Sequence, residues 1–188
     1  MFVKLKLYEQ ERGLEVLRVL TQRDFPKVYE IMEQSFPRSE YRPYEAQLAL
    51  MERSNYRIYG EAEMTGELQG FMAVWELPGY CFLEHFAVSP MERNGGIGSA
   101  MLKELQELYH APLCLEVEPP ENELTRRRVA FYERNGFYLN AYPYEQPSLG
   151  EGREPVPLQV MTTGSRITRE TFERLKETLY TEVYDVAL

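Results

Sequence analysis

The chain has 188 residues, of which 44 % are hydrophobic and 27 % charged, which excludes a disordered or low-complexity class and suits one globular domain with a sizeable core. A formal net charge of −9 argues against nucleic acid as a partner, because a binder of phosphate backbone carries a basic face; it suits a cationic acceptor such as an amine. No stretch approaches the ~20 apolar residues of a membrane span, and the opening Met1-Phe2-Val3-Lys4-Leu5-Lys6-Leu7 lacks a signal-peptide core, so no membrane contact and a cytoplasmic location are expected.

Residues 2–8 and 14–20 are predicted as strands around a turn at Gly13, the second with Leu14, Val16 and Leu20 on one parity. Thr21 offers a helix cap with Asp24 three residues on, and Phe25, Val28 and Met32 follow at helical spacing. That helix ends before Pro37. After the 37–43 connection a second helix is predicted over 44–54, with Tyr44, Leu48 and Met51 as its apolar stripe. Strands over 56–63 and 68–75 make a hairpin, and Pro78-Gly79 turns the chain into a strand that holds Phe82, Glu84, His85 and Val88.

Ser89-Pro90 ends that strand, and Arg93-Asn94-Gly95-Gly96-Ile97-Gly98-Ser99 opens a helix whose face is Ile97, Met101, Leu102, Leu105 and Leu108. Residues 113–117 form a short buried strand broken by Pro119-Pro120. A helix from Asn122 or Thr125 runs through Tyr132 and stops at Gly136, as a C-terminal glycine does. Strands over 137–144 and 156–163 flank a Gly-, Pro- and Glu-rich loop, either a cover for substrate or a passive connector. Thr168 caps a last helix carrying Phe172, Leu175, Leu179, Val183 and Val186. Cys81 and Cys114 fall in strands without C-x-x-C or ligand spacing, so two reduced thiols and no metal site are expected.

Three glycines in four positions at a helix start let backbone N–H groups and the positive end of the helix dipole hold an anion such as a pyrophosphate, with Arg93 adding a charge-assisted contact. A phosphate loop of the Walker type is excluded, since Gly98-Ser99-Ala100 has no lysine. A dinucleotide fingerprint would need glycine where Met101 stands, although Glu118 lies at a suitable distance downstream.

Arg93, Gly96 and Gly98 instead match an R/Q-x-x-G-x-G/A signature, and Phe131-Tyr132-Glu133-Arg134-Asn135-Gly136-Phe137 matches an FYxxxGF segment. Together these blocks resemble the GNAT superfamily of acyl-CoA-dependent N-acyltransferases. The resemblance implies a mixed α/β fold whose central sheet is mixed and largely antiparallel, with acetyl-CoA as donor and direct attack in a ternary complex. The domain would span 1–163. The helical extension over 164–188 is extra to the family core and either packs on the domain or forms a homodimer contact.

The resemblance also implies roles. The main chain of Phe86, Ala87 and Val88 would face the pantetheine arm and the developing oxyanion, and Arg93, Asn94, Gly95, Gly96, Ile97, Gly98 and Ser99 would hold the phosphates. Glu84, four residues before Val88, is the expected general base, its carboxyl raised by an apolar setting. Tyr132 is the expected general acid for the departing thiolate. On a regular strand His85 points the other way; with a bulge the two exchange roles. The 37–43 segment borders the acceptor site, which makes Phe36, Glu40 and Tyr41 candidates to shape substrate choice.

Thr125 and Arg128 depart from the family's usual asparagine and alanine, seven and four residues before the tyrosine. Either Thr125 or Asn122 would then contact the pantetheine, and the Arg126-Arg127-Arg128 run would approach the phosphates or be salt-bridged. A small-molecule amine is the favoured acceptor. A protein or peptide amine, or a non-catalytic acyl-CoA-binding module, is the alternative.

Overall fold

A computed structural model describes residues 17–62, 67–92 and 95–186. The expected strand over 2–8, the hairpin turn at Met64-Thr65-Gly66, and the site candidates Arg93 and Asn94 lie outside the described residues. In chain order the elements are β1 Arg18–Val19, α1 Phe25–Ser35, α2 Tyr44–Ala49, β2 Tyr56–Ala62, β3 Leu68–Leu77, β4 Tyr80–Val88 and α3 Ile97–Leu108. They continue as β5 Leu113–Val117, α4 Glu123–Arg134, β6 Phe137–Gln146, β7 Val156–Thr163 and α5 Arg169–Glu182.

The strands form one sheet in the order β1-β2-β3-β4-β5-β7-β6. Neighbours are antiparallel except β4 and β5, whose parallel pairing needs the crossover that α3 supplies. Each face carries its own core. On one, α1, α2 and α5 bury Phe25, Met32, Tyr56, Trp75, Phe82 and Phe172; on the other, α3 and α4 bury Met72, Leu83, Met101, Leu105, Leu115 and Tyr132.

Local chemistry sets the helix ends. Asp24 rather than Thr21 is the N-cap of α1, and its carboxylate reaches back to accept from the Thr21 N–H at 2.8 Å and from Arg18 at 2.7 Å. Pro26 then falls in the first turn, where its missing N–H costs nothing. Helix α2 stops at Ala49, with a 3-10 turn over Leu50–Glu52 after it. What α2 buries is Gln47, which accepts from the Arg42 N–H at 3.2 Å and donates to the Tyr56 hydroxyl at 3.1 Å. Asn122 and Thr125 cap α4 reciprocally, each side chain bonding the other's backbone N–H. Helix α5, capped by Thr168, packs on the domain through Phe172, Leu175, Leu179 and Val183.

The register of β4 contains the feature that matters most for the site. Ala73 pairs with His85 and Val74 with Leu83, so Glu84 is the extra residue of a β-bulge. Strand parity inverts there. Glu84 keeps the face of Phe82, but Phe86 and Val88 pack toward α3 and α4, whereas strict alternation along 82–88 predicts one face for all four.

Candidate active site

The backbone at the glycine turn is open to a ligand. Gly96 is the N-cap of α3 at φ +86°, a left-handed conformation that side chains other than glycine's resist. The N–H groups of Ser99 and Ala100 both turn back to the Gly96 carbonyl at 3.1 Å. Among the described residues no backbone carbonyl accepts from the N–H of Ile97 or Gly98, which leaves donors at the positive end of the helix. A Cβ on Gly98 would meet Phe131 at 3.3 Å and Phe86 at 3.4 Å, so the missing side chain is what allows this close approach. Gly95, Gly96 and Ser99 are exposed, and a groove continues from Ser99 past Lys103 and Gln106 to Asn135.

The sheet opens next to this turn. The β4–β5 ladder consists of Cys81–Leu113, Phe82–Cys114 and Leu83–Leu115, yet β4 runs on to Val88. From Glu84 to Ala87 the edge that faces β5 has no strand partner among the described residues, while Phe86 and Ala87 stay paired to β3. Glu84's side chain is only 3 % exposed although the residue as a whole is not buried, so its accessible surface lies on the main chain, at the opening.

Carboxylates gather on the face of the opening that carries α1, α2 and α5. Glu84 accepts from Arg42 at 2.5 Å and from the Trp75 indole at 2.8 Å. Burial pushes the Glu84 carboxyl up, but Arg42, His85 and Trp75 outweigh it and hold the group below its ordinary value. The expectation of a raised carboxyl at Glu84 is therefore not met, because a buried guanidinium neutralises it. Glu116 of β5 behaves oppositely. Burial, together with the nearby charges of Glu84 and Glu40, pushes it up to about 7, although Tyr144 and Tyr184 donate hydrogen bonds to it. The residue as a whole keeps some solvent-accessible surface.

The 36–42 segment packs against β4 through Phe36 and the main chain of Glu40, while Pro37 and Arg38 are exposed. Phe36 stands edge-on to His85 with centroids 5.1 Å apart, and the Glu40 carbonyl lies 2.8 Å from His85 Nε2. A carbonyl only accepts, so Nε2 carries the proton, and Nδ1, 3.7 Å from Glu84, has no hydrogen-bond partner among the described residues. Burial lowers the His85 pKa and favours the neutral ring. The Glu40 carboxyl is pushed up to about 7 by burial and then by Glu118. The bulge thus brings Glu84 and His85 to one side together, where the sequence suggested an exchange.

Tyr132 lies across the sheet from these carboxylates, beside Phe131 at 5.3 Å and Phe137 at 5.7 Å. Burial pushes its hydroxyl up to about 12, so it keeps its proton at neutral pH. Thr125 and Asn122 spend their polar groups on each other in the cap. The arginine run is likewise engaged locally: Arg126 with the carbonyls of Pro120 and Glu121, Arg127 with Glu123, Arg128 with Glu118. The 147–155 loop is pinned, Arg153 donating to the Tyr41 carbonyl at 2.6 Å and Gln146 to the Ser39 carbonyl at 3.0 Å.

Sequence reasoning missed Glu116, Arg42 and Tyr184. A signal existed for Glu116, which shares strand parity with buried Cys114 just as Glu84 shares it with Phe82, and the same cost of an unpaired carboxylate applied. Arg42 and Tyr184 gave none, since each acts through a contact with a residue distant in sequence.

Among the described residues no group of His, Cys, Asp or Glu is placed to hold a metal ion, and no helix is long and apolar enough to cross a membrane. Residues 22–137 match the model of the acetyltransferase (GNAT) family. A putative GNAT-family acetyltransferase from Bacteroides thetaiotaomicron is 32 % identical, with a TM-score of 0.82 over 91 % of this chain and 99 % of the other. The ribosomal-protein-S18-alanine N-acetyltransferase of Escherichia coli is 24 % identical, with a TM-score of 0.57 over 82 % of this chain and 96 % of the other. A spermidine N-acetyltransferase chimera from Vibrio cholerae is 13 % identical, with a TM-score of 0.59 over 79 % of this chain and 95 % of the other. Comparison with curated proteins gives no significant match.

Proposed function

The chain belongs to the GNAT acetyltransferase family, and from that premise we propose that it acetylates a primary amine of a small molecule, with acetyl-CoA as donor. One observation carries the reading: the β4–β5 ladder ends at Leu83–Leu115, and the next residue of each strand is a carboxylate, Glu84 held by Arg42 and Glu116 without a basic partner among the described residues.

The free donors of Ile97 and Gly98 and the turn around Gly95, Gly96 and Ser99 hold the pyrophosphate, and Arg93 and Asn94 belong to the same turn. The main chain of Phe86, Ala87 and Val88 lines the pantetheine path and supplies N–H to the oxyanion as the thioester carbonyl is attacked. An alkyl ammonium, with an ordinary pKa of ~10.4, must lose a proton before it attacks. Glu116 is the better proton acceptor. Glu84, fixed as an anion by Arg42, stabilises the incoming ammonium instead. Tyr132 gives its proton to the departing thiolate.

Thiol release from acetyl-CoA over a panel of amines tests the activity, and two isosteric variants test the roles. Glu116→Gln is expected to lower kcat by about 10²–10⁴-fold without loss of acetyl-CoA binding. If Glu84→Gln shows that loss and Glu116→Gln does not, the two carboxylates have been assigned the wrong way round.

A further inference from the structure

We propose that the C-terminal segment beyond α5 completes the acceptor site: Tyr184, with Tyr144, is a positioning residue that orients the Glu116 carboxylate, a role that rests on the reading of Glu116 above. The Tyr184 hydroxyl lies 2.8 Å from both carboxylate oxygens, and the Tyr144 hydroxyl donates to Oε1. Two aromatic stems, 8 % and 5 % exposed, fix those donors by packing, so the carboxylate has one supported orientation.

The same segment steadies the second carboxylate. The Val183 carbonyl accepts from Arg42 Nη2 at 2.8 Å, while Arg42 Nη1 pairs with Glu84 and the guanidinium lies 5.8 Å from the Tyr184 ring centroid. Beyond α5 the chain is held in place. Arg53 donates to the Glu182 carbonyl at 3.1 Å and forks onto Asp185 at 3.0 and 3.1 Å, and Asp185 adopts φ +53°. A C-terminal segment needed only to cover apolar surface has no use for the polar ties that Val183 and Tyr184 make to Arg42 and Glu116.

The groups that face Glu116 are Glu84 from β4, Glu40 from the 36–42 segment, Tyr144 from β6, Tyr184 beyond α5, Tyr180 on α5 and Cys114 on its own strand. Of these, Tyr144 and Tyr184 alone donate to the ionised form. Removing one donor therefore raises the carboxyl's titration midpoint, and a tyrosine that merely fills space does not move it.

Tyr184→Phe keeps the stem and removes the donor. In this variant, and likewise in Tyr144→Phe, the acidic limb of the kcat/KM profile for the amine is expected to move up by about half to one pH unit, which is about three- to tenfold less kcat/KM at pH 6. The thermal shift given by acetyl-CoA stays as in wild type. Because Glu116 can be followed directly, the 13C resonance of its carboxyl is titrated in both variants, and the midpoint is expected to rise. An unmoved midpoint in both overturns the positioning role, even where Glu116→Gln abolishes turnover. A raised midpoint with Glu116→Gln at the wild-type rate keeps the positioning and removes the reading of Glu116 as the base.

Discussion

The two faces of the sheet carry two halves of the proposed site, built in different ways. On the α3/α4 face, the side chain of Tyr132 apart, it is backbone: a left-handed glycine, and, among the described residues, two N–H groups without a backbone acceptor and a strand edge without a partner. On the opposite face it is side chain, with Arg42, Glu84, Glu116, Tyr144 and Tyr184 brought from five separate segments into one network. A site made of main chain tolerates most side-chain changes but not a changed backbone conformation. A site made of interlocked side chains fails when one partner is removed.

Removing Arg42 gives the largest expected effect. Arg42→Met leaves Glu84 buried without its cation and should cost about 3–5 kcal/mol, read as a lower urea midpoint with an unchanged slope. A loss below about 1 kcal/mol would mean that the network is redundant and the contrast between the faces too sharp.

Glu116→Gln should move stability the other way. Its folded carboxyl is raised from 4.5 to about 7, so the stability it contributes is present below the unfolded value and lost as pH rises through the folded one. The glutamine variant, which does not titrate, should therefore be more stable than wild type at pH 8 by about 1–3 kcal/mol, a gap that closes near pH 4. Thermal melts at the two pH values decide it. A gap independent of pH would assign the effect to packing and not to charge.

The backbone-built face gives the smallest expected effects. Gly96→Ala strains a left-handed residue by about 1–2 kcal/mol and should weaken the thermal shift with acetyl-CoA. Ser99→Ala, three positions on, should change stability by no more than about 0.5 kcal/mol and leave that shift in place. If Ser99→Ala removes the shift, side chains carry this face as well.

The same division explains what was legible in the sequence. The glycine turn, β5 at 113–117, the Asn122–Thr125 cap and the Thr168 cap are local patterns, and each folds as its neighbours in sequence dictate. Glu84 was found because it stands on an apolar parity, but its partner Arg42 is 42 residues away, so the sign of its pKa shift was out of reach. The bulge was equally hidden. Nothing in Phe82-Leu83-Glu84-His85-Phe86 marks the extra residue, which becomes visible only against the register of β3. In α2 the expected stripe of Tyr44, Leu48 and Met51 does pack against the core, but the burial of Gln47 was hidden, because it depends on Arg42 and Tyr56 to satisfy the amide.

The brevity of the β4–β5 ladder has a consequence for how the molecule comes apart. Strands β1 to β4 form a meander of sequential antiparallel strands, and β5, β7 and β6 form a second antiparallel group, so among the described residues three parallel pairs are the whole strand-to-strand bond between them. That junction is a seam between two groups of strands that share both cores, and hydrogen exchange should find its amides opening more readily than those of the long β3–β4 ladder. A donor lying in the opening touches both groups, so its binding should slow exchange across the seam beyond the residues in contact.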